Sequence, residues 1–169
     1  MPMTRNQHPK DRKTDIDRLA AMVVEAAGNR PWVSGYAVGK SPRYFVVGDS
    51  ATIKDAVLDK PFSGLGNEVL ANLYKTMAQK DGSTPDDFFI TLLVKAFYQP
   101  SELREQEVME RWLPIARLEF ALSGCESVIA IGKMSAQLAG HISASAVLTE
   151  SKPISLIEQF IENVKAGMF

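Results

Sequence analysis

The side chains best equipped for chemistry gather in one segment: Gly48-Asp49-Ser50-Ala51-Thr52, then Asp55, then Lys60-Pro61-Phe62-Ser63-Gly64-Leu65-Gly66. Carboxylates, hydroxyls, an ammonium group and a phenyl ring so close in sequence can move protons, steady a developing charge and stack against a planar ligand. The segment carries neither G-x-x-x-x-G-K-S/T nor G-x-G-x-x-G, so it offers no glycine-rich nest for a nucleoside triphosphate. A helix beginning near Gly66-Asn67 can still receive a phosphate at its N-terminus. A second segment, Glu150-Ser151-Lys152-Pro153-Ile154-Ser155, combines a carboxylate, a cation, hydroxyls and an apolar tip. Pro153 and Ile154 can start a helix, with Ile154 on its buried face. The one cysteine, Cys125, can neither pair within the chain nor build a zinc or iron–sulfur centre alone, so no structural metal is expected.

Strands must end where these segments begin if they are to share a site. Tyr44–Gly48 reads as a first, buried strand, the apolar and aromatic run Phe88–Phe97 as a second, Ser127–Ile131 as a third and Ser143–Leu148 as a fourth. Between them the apolar positions follow helical spacing. Ile16, Leu19, Ala20, Val23 and Ala27 define a helix from Asp15, ended by Gly28-Asn29 and Pro31, and Val69, Leu70, Leu73, Tyr74 and Met77 define another over Asn67–Lys80. Residues 102–122 form a long helix that Pro114 should kink, 133–139 a short one ended by Gly140, and Ile154–Lys165 a last amphipathic one. A Gly, Ser and Pro-rich loop precedes the first strand and a long polar loop, Asp49 to Ser63, follows it. This alternation predicts an α/β, three-layer, doubly wound fold with a four-stranded parallel sheet. Ligands of such sheets sit beyond the carboxyl ends of the strands, so residues 48–66, 97–101, 132–134 and 149–155 should converge on a site.

Composition bounds the rest. The chain has 169 residues, 46% hydrophobic and 23% charged, which fits one globular domain and argues against disorder, collagen-like repeats and coiled coil. Residues 1–14 read as a flexible arm and 15–169 as a single domain. No apolar run approaches the about 20 residues needed to cross a bilayer, and the N-terminal residues form no apolar export signal, so a cytoplasmic protein with no membrane partner is expected. With 19 Lys+Arg against 20 Asp+Glu the net charge is −1, and any contact with nucleic acid must be local.

The stretch Gly48–Leu70, GDSATIKDAVLDKPFSGLGNEVL, resembles the first active-site motif of the uracil-DNA glycosylase superfamily, in particular its iron–sulfur bacterial and archaeal branch. That branch carries a Gly-Glu-x-Pro-Gly turn, further acids, then Gly-Arg-Pro-Phe-x-Gly-x-Ala-Gly and a helix, and the spacing from Gly48 to Pro61-Phe62 matches without a gap. Phe89–Lys95, FITLLVK, resembles the family's Ile-Thr-Asn-x-Val-Lys strand, and Ser127–Leu138, SVIAIGKMSAQL, is similar to its Val-Ile-x-x-Leu-Gly-x-x-Ala strand and helix. The resemblance covers roughly residues 15–169.

It implies an enzyme scaffold that flips a base out of DNA, stacks it on a ring and reads its edge while an N-glycosidic bond is cut. On that resemblance Phe62 would be the stacking ring and Asp49 the acid that positions water or steadies the sugar cation, with Asp55 and Glu150 as further catalytic candidates. Ser50 and Leu92 would join Phe62 around the base, while Lys60, Lys152, Ile154 and Ser155 would hold the backbone or fill the vacated stack. Read from the residues alone, Phe62 is equally a core residue at a turn and Asp49 a cap. Three departures matter. Leu92 stands where the family has the asparagine that reads uracil, and it offers neither donor nor acceptor. Glu150 replaces the histidine that stabilises the departing base, where a carboxylate would repel the anion unless protonated. The cysteine ligands are absent, so neither a cluster nor another cofactor is expected. The resemblance therefore implies a protein of DNA repair or replication that binds single- or double-stranded DNA, its base-excision activity lost, weak or redirected to a base other than uracil. Two other readings stand beside it: an interaction subunit of a replication or repair complex, docking through the helix around Trp112 and the basic arm, and a binder of a small nucleotide or flavin.

Overall fold

The computed structural model describes residues 9–143 apart from Leu65 and Pro100. Of the expected fourth parallel strand only Ser143 falls within that range, as a turn closing a helix; the last amphipathic helix and Glu150, Lys152, Ile154 and Ser155 lie outside the described residues.

The first described element is helix α1 (Pro9–Ala27), which lies partly inside the segment read from sequence as an arm. Arg12 explains the difference: its guanidinium donates to the carbonyl of Leu122 at 2.8 Å, tying the first turns of α1 to another helix. Strand β1 (Tyr36–Ala37) follows, then β2 (Tyr44–Ala51), helices α2 (Ile53–Leu58) and α3 (Gly66–Asp81), and β3 (Phe88–Phe97). A short helical turn α4 (Glu105–Glu107) leads through a π turn (Val108–Trp112) into α5 (Leu113–Ser123), then β4 (Ser127–Ile131) and α6 (Lys133–Ile142). None of the described helices is long and apolar enough to cross a membrane.

Among the described residues the fold is mixed α/β around an open four-stranded sheet of order β1-β3-β2-β4. Strand β2 pairs in parallel with β3 on one side and β4 on the other, Gly48 standing between Leu92 and Ile131. The sheet is not wholly parallel, because β1 runs antiparallel to β3 with Tyr36 opposite Ile90. The segment before β1 continues that pairing: Val33 donates to the carbonyl of Lys95 at 2.9 Å and Phe97 to that of Pro31 at 3.1 Å. What reads as a Gly, Ser and Pro-rich loop therefore covers the outer edge of β3, whose backbone groups would otherwise lack partners.

Alternation along the strands sorts side chains to two faces. Val46 and Ile129 point to the side covered by Leu70, Leu73 and Met77 of α3. Phe45, Val47, Val128 and Ala130 point to the other, packed with Val23 and Ala27 of α1, Ile115, Ala116 and Phe120 of α5, and Ala139 and Ile142 of α6. The crossover from β2 to β3 thus uses one face and the return from β3 over β2 to β4 uses the opposite one.

Two details differ from the sequence reading of the long helix. Pro114 sits in the first turn of α5, and the irregularity precedes it: the Leu113 N–H reaches back to the carbonyl of Val108, five residues away. A π turn at this point accommodates the ring and the missing donor of proline. Trp112 is fully buried, its indole donating to the Tyr98 hydroxyl at 3.2 Å, so it presents no docking surface. Beneath β1 lies a buried ion pair: the Lys95 ammonium donates to Glu119 at 2.7 Å, to the Thr91 hydroxyl at 2.7 Å and to the carbonyl of Leu92 at 2.6 Å. Gly35 passes over this network so closely that a Cβ there would meet the Thr91 hydroxyl at 2.6 Å and a Glu119 oxygen at 2.8 Å.

Candidate functional site

Strand β2 does not stop at Gly48 but carries Asp49 and Ser50 to its carboxyl end, beside the start of α6. There the Asp49 carboxylate accepts from the backbone N–H of Ser135 at 2.7 Å and of Met134 at 3.3 Å. It occupies the place an anion would take at the N-terminus of α6, satisfying donors that the helix cannot satisfy itself. Gly132 is what lets it in: the residue has φ +123°, and a Cβ there would stand 2.5 Å from each Asp49 carboxylate oxygen.

Asp55 is also committed. It is buried in the first turn of α2, where Thr52 and Asp55 form a reciprocal capping box: the Thr52 N–H donates to Asp55 at 3.0 Å and the Asp55 N–H to the Thr52 hydroxyl at 3.2 Å. Its other oxygen accepts from the Ser63 N–H at 2.8 Å, pinning the return loop that carries Phe62. The long polar loop expected after the first strand is therefore largely structured, with α2 inside it. The signal was present in the sequence, since Thr52 precedes an acid by three residues.

Phe62 turns inward. With φ +59° its ring is buried in the α3-side core, and its edge lies so near Gly48 that a Cβ on that glycine would meet the ring at 2.7 Å and Leu92 at 2.9 Å. Phe62 and Leu92 thus close together over Gly48. Lys60 is exposed, its ammonium 5.4 Å from the centre of the Tyr36 ring. Tyr36 hydrogen-bonds Tyr74, and burial pushes both phenols up, Tyr74 to about 12 with the adjoining Tyr36 adding to the shift.

The open space lies on the other side of β2. A crevice of about 570 Å³ sits beyond the carboxyl end of β2, between the segment that follows β3 and the start of α6. Asp49 and Ser50 line it from β2, Arg104 and Met109 from the segment after β3, and Lys133 and Met134 from α6. Sequence reasoning marked Asp49, Ser50 and the 132–134 turn but passed over Arg104, Met109 and Gln137, which become neighbours only once α4 and α6 are packed. Around the same rim Lys54, Arg104 and Lys133 are exposed on the three segments that leave the ends of β2, β3 and β4. Among the described residues no group of three His, Cys, Asp or Glu side chains is placed to hold a metal ion. Neither the protein-family models nor the curated proteins give a match to this chain.

Proposed function

We propose that this protein binds nucleic acid through the carboxyl-end rim of its sheet without excising a base, on a scaffold of the uracil-DNA glycosylase kind. The observation that carries the reading is the state of the two acids: Asp49 and Asp55 are both engaged by backbone N–H groups, while cations stand exposed beside them. A carboxylate held by helix amides is a poor partner for a water or for a sugar cation, because its lone pairs are already directed at fixed donors. Phe62, the ring that the resemblance would stack on a base, is buried with Leu92 against Gly48, which supports binding without base flipping.

Binding itself needs less. Lys54, Arg104 and Lys133 offer phosphate contacts from three neighbouring segments. Ile53, Val57 and Leu58 are exposed on α2 beside Lys54, apolar tips of the sort that rest against unstacked bases. Fluorescence anisotropy with single- and double-stranded oligonucleotides over a salt series tests the reading. Affinity that falls with salt and is weakened by the triple change Lys54→Gln, Arg104→Gln and Lys133→Gln is expected; affinity indifferent to salt and to those changes would contradict it. The volume of the crevice favours a second reading, a binder of free nucleotides, since ligand pockets are typically about 300–1,000 Å³.

A further inference from the structure

The crevice at the carboxyl end of β2 is lined by two kinds of side chain: apolar and adaptable ones, with the thioethers of Met109 and Met134 and the side chain of Leu138, and polar ones, with Arg104, Lys133 and Gln137. Two carboxylates, Glu105 and Asp49, balance the two cations in number, but the Asp49 oxygens are turned to the N–H groups of Met134 and Ser135, and among the described residues neither Arg104 nor Lys133 is in an ion pair, so both cations remain available to an anionic ligand. This is also a different place from the closed space over Gly48, where the sequence resemblance would put a base.

We infer that the crevice is a nucleoside monophosphate site, the phosphate held between Arg104 and Lys133 and the base lying against Met109, Met134 and Leu138. Two sources supply that chemistry, a free mononucleotide and the phosphate-bearing end of a DNA strand; only the second rests on the nucleic-acid reading above. A base is planar, polarisable and edged with polar atoms, which suits sulfur on its faces and the Gln137 amide at its rim. A terminal phosphate carries more charge than an internal one and can be approached from more sides, which suits two cations on separate segments.

Calorimetric titration of the full chain with deoxyadenosine monophosphate and deoxyadenosine, and anisotropy with oligonucleotides differing only in a terminal phosphate, test the assignment. The mononucleotide should bind at least about tenfold more tightly than the nucleoside, or the phosphate-ended strand than the hydroxyl-ended one. Arg104→Gln with Lys133→Gln should remove that preference, and Lys75→Gln on α3 should keep it. Bound mononucleotide should also shield Met109 from peroxide oxidation, a readout that needs no variant. Equal binding of nucleotide and nucleoside, with strands bound alike whatever their ends, overturns the inference. Strands that bind whatever their ends, with no mononucleotide binding, overturn it and leave the nucleic-acid reading intact; no binding of any probe removes both.

Discussion

Replacing Asp49 should cost stability, because its carboxylate joins the end of β2 to the first turn of α6. A capping side chain contributes about 0.5–2 kcal/mol and a carboxylate near a helix N-terminus a further 0.3–1 kcal/mol or so. Asp49→Ala loses both contributions and leaves the Met134 and Ser135 N–H groups without their acceptor, so about 2 kcal/mol is expected. For a chain of this size that lowers Tm by roughly 4–8 °C. Asp49→Asn keeps one acceptor oxygen but not the charge and should lose about half as much. Gly132 provides the cross-check. Gly132→Ala adds a methyl 2.5 Å from both carboxylate oxygens at φ +123°, so it meets a steric conflict as well as backbone strain. In the Asp49→Ala background the conflict disappears and only the strain remains, so the two changes should couple by about 1 kcal/mol or more in a double-mutant cycle read by urea unfolding. Additive effects, or an Asp49→Ala protein within about 0.5 kcal/mol of the parent, would refute the claim that this carboxylate is a cap.

Three further outcomes follow from the packing. Glu119→Leu leaves the Lys95 ammonium buried without its counter-charge and should destabilise by about 3–5 kcal/mol, whereas Lys95→Met combined with Glu119→Leu should recover most of that loss in chemical denaturation. Gly48→Ala drives a methyl into Phe62 and Leu92 and should cost about 1–3 kcal/mol by the same measurement. Tyr74 has its phenol raised to about 12 by burial, with Tyr36 adding to the shift, so the folded state holds this proton more tightly than the unfolded one. Its contribution is complete below pH 10 and is lost as pH rises through about 12; thermal melts should show that decline in the parent and a flatter one in Tyr74→Phe.

The parts legible in the sequence were those set by local pattern. Phe88–Phe97 and Ser127–Ile131 are apolar runs bounded by turn formers, and both strands have the bounds their composition suggests. The helix ending at Ala27 and the one spanning Asn67–Lys80 were likewise written in the spacing of their apolar residues. What escaped depends on partners distant in the chain. Strand β1 exists because β3 needs an edge partner, and Gly35 looks like a loop residue until the Lys95–Glu119 pair beneath it is seen. Asp49 reads as a strand-end acid available for chemistry, yet its fate is decided 86 residues later by Ser135. Asp55 is the instructive exception: its cap on Thr52 is local and could have been read directly, though its hold on Ser63 could not. Arg104 and Lys133 come to line one crevice only through the crossover that carries β4 to the far side of β2.

A base-release assay tests most directly the proposal that the protein binds DNA without excising a base. DNA containing uracil, hypoxanthine, xanthine or hydroxymethyluracil, single- and double-stranded, is incubated with the full chain at concentrations where anisotropy shows it bound, then heated in alkali so that any abasic site becomes a strand break. Intact strands in every lane are expected despite binding. Release of any one of these bases by the parent, abolished in Asp49→Asn while the variant remains folded, would show that the carboxylate acts on substrate and that the account is wrong.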